Sequence, residues 1–220
     1  MKIDTNTVNI LKNFAKVNPS MIFQEGNTLK TMSPSKTVMA RANVNTNFTK
    51  RFAIYNLDSF LANLSMFNDP EIKLDDSQIV IREGNLKQVV PYADENSLGV
   101  LNKMSEKDPK LPTIDVTFTL TNENFKKLEK AAGINSLPEM LVVGDGGKLY
   151  LQVADSKVPN GNHMSIEVGD TNKSFQAIFK FENIKILPGD YEVSICSRGI
   201  SHFAGKDAEY WIAVEQTSTF

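Results

Sequence analysis

Apolar residues recur at helical spacing in a few stretches of this chain and alternate with polar ones over most of the rest. In residues 5–17, TNTVNILKNFAKV, Val8, Leu11, Phe14 and Ala15 form a stripe along one side of a helix. Asp4 or Thr5 can cap it, and Asn18-Pro19 stops it, because the residue before a proline is driven out of helical backbone. Short alternating runs follow, SMIFQ, TLKTM, TVMARANV and KRFAIYNL, broken by EGN and SPS as strands are broken by turns. Residues 57–67, LDSFLANLSMF, predict a second helix with Leu57, Phe60, Leu61 and Leu64 on one face. Three strands come next, EIKLD, SQIVIRE and KQVVPY, with Asp75-Asp76 as the polar turn between the first two.

Residues 93–110, ADENSLGVLNKMSEKDPK, keep no period of 2 or 3.6 and read as a surface linker. This divides the chain into a first domain over 1–92 and a second over 111–220. In the second, TIDVTFTL alternates strictly, and residues 122–132 predict a helix with Phe125, Leu128 and Ala132 within roughly 60° of one another. MLVVGDGGKLYLQVAD predicts a hairpin, and HMSIEV a strand. FQAIFKF predicts a strand leading into a short helix near ENIKIL, and GDYEVSICS and AEYWIAVEQT are the last two strands. The halves echo each other. AIYNLDSF at 53–60 and AIFKFENI at 177–184 share apolar, aromatic and acidic residues at matching steps, and TNTVNILKNFAK can be set against NENFKKLEKAAG at a similar offset. So long an offset indicates duplicated domains rather than a solenoid.

Composition adds limits. Hydrophobic residues at 41% exclude a disordered chain, and one cysteine, Cys196, excludes an intrachain disulfide or a Cys-based zinc site. The expected setting is reducing and intracellular. MKIDTNTVNILKNF does not read as a signal peptide, and no apolar run is long enough for a membrane span. GDGGK at 144–148 lacks P-loop spacing and sits where a hairpin turn belongs. His163 and His202 have no sequence partner for metal or acid–base work, and Cys196 lies in an alternating strand as a small buried apolar residue would. An enzyme is therefore not indicated.

Charge is more informative. The first 110 residues hold 14 Lys+Arg against 12 Asp+Glu, and the remainder 10 against 14. Yet the helix at 122–132 lies in that acidic half and carries Lys126, Lys127 and Lys130 over about 100° opposite its apolar face. The first helix gathers Lys12, Lys16, Asn9 and Asn13 opposite Leu11 and Phe14. A solvated surface accounts for either helix alone; repetition at equivalent positions points to a shared anionic target. Lysines and asparagines that touch phosphates without reading bases give salt-sensitive, sequence-independent DNA contact.

Taken with these elements, ILKNFA, AIYNLDSFL, and the run PGDYEVSI with EYWIAVE make the chain resemble the DNA polymerase sliding clamps of T-even-type tailed phages, over essentially its whole length. The resemblance implies an α+β DNA clamp fold of two similar domains, each a duplicated βαβββ unit, with sheets outside and helices inside. It implies a head-to-tail homotrimer around double-stranded DNA that a clamp loader opens and closes, and that tethers the DNA polymerase. It implies late-transcription factors as further partners, no membrane, no catalytic centre, no cofactor and no metal, and the cytoplasm of an infected bacterial host as location. Carried onto this sequence, it makes Lys12, Lys16, Lys126, Lys127, Lys130 and Lys185 the DNA-channel candidates. Val38, Leu98, Val100, Leu101, Leu111, Pro112, Trp211 and Ala213 become candidates for a pocket that takes partner tails, although packing in the core accounts for each of them equally well. Lys87, Val89, Met164 and Ile166, on LKQVVPY and HMSIEV, become the candidates for the subunit interface. The second helix departs from a fully basic channel, since it has no lysine.

Overall fold

The computed structural model describes residues 1–158 and 160–220, in two compact units, Met1–Asp108 and Pro109–Phe220. In the first unit, α1 (Thr5–Val17) starts at Asp4, whose carboxylate accepts from the Thr7 backbone N–H at 3.0 Å and the Thr7 hydroxyl at 2.5 Å. The Thr46 hydroxyl donates to the same carboxylate at 2.7 Å, tying the helix start to the strand behind it. Ile10, Leu11 and Phe14 are fully buried, and Asn18 ends the helix in extended backbone, as the following proline requires. Then come β1 (Met21–Phe23), β2 (Gly26–Met32), β3 (Val38–Phe48), β4 (Phe52–Ile54), α2 (Leu57–Leu64), β5 (Glu71–Leu74), β6 (Gln78–Glu83) and β7 (Leu86–Pro91). β1 pairs with β4 and β2 with β3, while β5, β6 and β7 form a three-stranded antiparallel sheet in that order. α1 packs on β3 and α2. Phe23 stands between Phe52 and Phe48, with ring centroids 4.5 and 4.9 Å away, and anchors the core below the helices.

The second unit runs β8 (Val116–Leu120), α3 (Asn122–Asn135), β9 (Glu139–Asp145), β10 (Lys148–Ala154), β11 (Met164–Asp170), β12 (Ser174–Lys180), a 3-10 turn (Phe181–Asn183), β13 (Tyr191–Cys196), β14 (Ile200–Gly205) and β15 (Glu209–Ala213). One sheet has the order β11-β10-β9-β12, and β8, β13, β14 and β15 pair antiparallel in turn. Thr121 caps α3 by accepting from the Asn124 N–H at 3.2 Å. Phe125, Leu128, Ala131 and Ala132 are its buried face, against β10 and β11.

The order β-α-β-β-β recurs through both units: α1-β1-β2-β3, β4-α2-β5-β6-β7, β8-α3-β9-β10-β11, then β12, the 3-10 turn and β13-β14-β15. The first copy has no leading strand, but Met1 stands where one would be. Its ammonium donates to the Ile72 carbonyl at 2.6 Å and its carbonyl accepts from the Ile72 N–H at 2.9 Å, covering β5 as β8 covers β13. At the far side of the second unit's first sheet, Glu215 N–H donates to Ile178 O at 2.8 Å, and Gln176 and Thr219 exchange two backbone bonds of 2.9 Å, covering β12.

Several elements differ from expectation. α2 stops at Leu64 rather than residue 67, because Met66 and Phe67 bond three residues back, to Asn63 O and Leu64 O, and unwind the helix. α3 continues past residue 132 to Asn135 and ends at Ser136 in left-handed backbone (φ 53°). The helix expected near ENIKIL is the 3-10 turn Phe181–Asn183. β14 was not foreseen: one of its two buried side chains is Ser201, which donates to Ile212 O at 2.7 Å and interrupts the apolar alternation. The aperiodic stretch 93–110, expected as a surface linker, is anchored through Leu98 and Leu101, which are buried against Ile22 and Ala53 with Val100 packed beside them.

Candidate nucleic-acid interface

On α1, Lys12 and Lys16 are exposed one turn apart, on the side away from Ile10, Leu11 and Phe14. The helix contains no acidic residue. On α3, Lys126 and Lys130 are likewise exposed one turn apart, while Lys127 is ion-paired to Glu123 at 2.7 Å. The bond from Lys127 holds the Glu123 carboxyl below its ordinary pKa, so Lys127 has its charge partly answered within the helix. Glu129 is exposed on the same helix. α1 is thus the more uniformly cationic of the two. Lys185 is exposed just after the 3-10 turn, between buried Ile184 and Ile186. A helix of this kind offers phosphates point charges on flexible stems and no base-reading groups.

The tail-pocket candidates fall in both units. In the first, Val38 is buried in β3, and Leu98, Val100 and Leu101 belong to the cluster with Ile22 and Ala53. A cavity of about 410 Å³ opens beside that cluster, and Ile22, Leu101, Met104, Lys30, Arg51 and Glu106 are among the residues that line it. The stretch 95–108 is held by ion pairs: Arg51 to Glu95 at 2.6 Å, Lys30 to Asp108 at 2.6 Å and Arg41 to Asp108 at 3.2 Å. In the second unit Leu111 is half-buried, Pro112 exposed and Ala213 partly exposed. Trp211 is buried under His202, with ring centroids 4.6 Å apart, and His202 Nε2 lies 2.9 Å from Glu209. Sequence reasoning passed over Lys30, Arg51 and Met104, since their grouping depends on pairings across tens of residues.

The interface candidates lie at sheet edges. Lys87 and Val89 are exposed on β7, which among the described residues pairs with β6 alone. Met164 and Ile166 are half-buried on β11, which among the described residues pairs with β10 alone. Among the described residues no group of His, Cys, Asp and Glu is arranged to hold a metal ion, and no helix is long and apolar enough to cross a membrane.

PCNA from Thermococcus kodakaraensis has the same fold, with a TM-score of 0.69 at 14% identity across 98% of this chain and 99% of that one. The repeated βαβββ order and this likeness define a DNA clamp fold. Residues 117–216 match the family model of the gp45 sliding clamp, C terminal. The chain is 29% identical to the sliding clamp of Vibrio phage KVP40, over 98% of this chain and 99% of that protein. It is 27% identical to the sliding clamp of Enterobacteria phage T4, over 100% of this chain and 99% of that protein. The chain is a homologue of the sliding clamps of T4-like phages.

Proposed function

We propose that this chain is a processivity clamp: a head-to-tail homotrimer that encircles duplex DNA without reading its sequence and tethers the replicative DNA polymerase. The observation that carries this reading is the end-to-end likeness to two phage sliding clamps. The cationic faces of α1 and α3 support it. A ring holds DNA by topology, so its lysines need only weak phosphate contacts, and weak contacts leave it free to slide. In this reading Lys12, Lys16, Lys126, Lys127, Lys130 and Lys185 face the DNA, and the residues around Leu101 and Trp211 receive partner tails. A clamp loader opens the joint, late-transcription factors share the docking surface, and the work is done in the cytoplasm of an infected bacterium. No catalytic step is assigned to this chain.

The test is polymerase extension on a primed circle with loader and clamp present. Lys126→Glu with Lys130→Glu should abolish the long products while leaving the unstimulated polymerase unchanged. Full stimulation by that variant would overturn the channel assignment.

A further inference from the structure

We infer that Lys87 on β7 of one copy pairs with Glu167 on β11 of the next, and that this pair sets the register of the joint between copies. The inference rests on the ring reading above and adds to it a register and an ionic key. The starting point is which sheet edges are covered. Met1 covers β5 and residues 215–219 cover β12, while the outer sides of β7 and β11 have no backbone partner among the described residues. An uncovered edge strand is a template for another strand.

The two edges carry opposite charge. Across the first sheet Glu71, Arg82 and Lys87 stand in one cross-strand row, with Arg82 directly opposite Lys87. Like charges placed so repel, and among the described residues neither makes an ion pair. The edge of this sheet therefore has a cation in excess. On β11 the balance is reversed. Lys148 lies 2.9 Å from both Glu167 and Asp170, two carboxylates around one ammonium. That leaves one negative charge in excess at the second edge, within reach of an incoming cation.

The faces then select the register. Lys87 and Val89 share a face with Arg82 and Val80, while Gln88 and Val90 share the core face with Ile81 and Ile79. On β11, Ser165 and Glu167 are exposed, and Met164 and Ile166 lie opposite Val153 and Leu151 on the core face. An antiparallel joint that continues both faces sets Lys87 opposite Glu167 and Val89 opposite Ser165. It also sets Gln88 opposite Ile166 and Val90 opposite Met164, and it stops at Glu167, because β11 bulges at Val168 between the Glu167 and Gly169 pairings. A slip of one residue would turn every side chain to the wrong face, and a slip of two would part the charges.

Sedimentation equilibrium of the full chain tests the pair. Lys87→Glu and Glu167→Lys should each weaken self-association about tenfold or more, and the chain carrying both should return to within about threefold of the parent. Loss that simply accumulates in the double variant overturns the pair. Register is read separately by oxidation. Val89→Cys with Ser165→Cys should give disulfide-linked multimers, and Val89→Cys with Glu167→Cys should not; Cys196 is fully buried and does not compete. The opposite cross-linking pattern overturns the register. A parent that self-associates but ignores the charge swaps overturns the ionic key and leaves the ring reading standing. A parent that stays monomeric and cross-links in neither variant overturns both.

Discussion

Lys127 is tied to Glu123 one turn earlier, whereas Lys12 and Lys16 stand on a helix with no acidic residue at all. Removing Lys127 should therefore change little. Lys127→Ala should leave the salt dependence of DNA retention close to the parent's, while Lys12→Ala with Lys16→Ala should lower the slope of log affinity against log salt by about 2. Retention on DNA measured over a salt series separates the two. Asp4 offers a residue-scale test of stability. Burial alone would raise its pKa, but the bonds from Thr7 and Thr46 outweigh burial and bring it down to about 2. A carboxyl depressed in the folded state stabilises above its unfolded value, and the contribution is lost as pH falls through the folded one. Asp4→Ala should cost about 1–2 kcal/mol in urea unfolding at neutral pH. The gap between parent and Asp4→Asn should close between about pH 4 and pH 2. The cap was legible as one of two candidates, Asp4 or Thr5. Thr46 was not, because a hydroxyl 42 residues away leaves no local signal.

α1 was readable because apolar stripe, cap and stop signal agree, whereas α3 was readable from its apolar stripe alone and runs three residues past the expected end. Leu128 lies at the centre of the α3 stripe and is fully buried. Leu128→Ala should destabilise the second unit by roughly 2–5 kcal/mol, seen as a lower urea midpoint. Elements were missed where a polar side chain does an apolar residue's work. Ser201 occupies a core position of β14 because its hydroxyl is satisfied by Ile212 O, and without that knowledge the strand looks like a loop. The stretch 93–110 misleads for a related reason: Leu98 and Leu101 are anchors at single points, so no period joins them. Its ionic holds, through Arg51, Lys30 and Arg41, depend on partners 44 to 78 residues distant and are invisible locally.

For the whole molecule, the repeat was visible in paired segments, and the βαβββ order, complete in two copies and varied in the other two, accounts for it. β7 and β11 were legible as strands, but not as strands left uncovered among the described residues. That property depends on Met1 reaching β5 and Thr219 reaching β12, contacts that pattern analysis does not reach. If the chain encloses DNA, retention should depend on the circle rather than on affinity. Clamp loaded on a nicked circle should persist through a wash in high salt, and cutting the circle once should release it. Release at the same rate from circle and linear DNA would contradict encirclement.

The two edges left uncovered among the described residues are unlike: β7 carries Lys87 and β11 carries Glu167. A joint made from unlike strands cannot be reversed, so every copy added points the same way. If copies join through these edges, the assembled object has a front and a back. Anything that docked on such a ring would inherit a heading along the DNA, and a ring loaded the right way round would need no later correction to keep an enzyme facing the direction of synthesis.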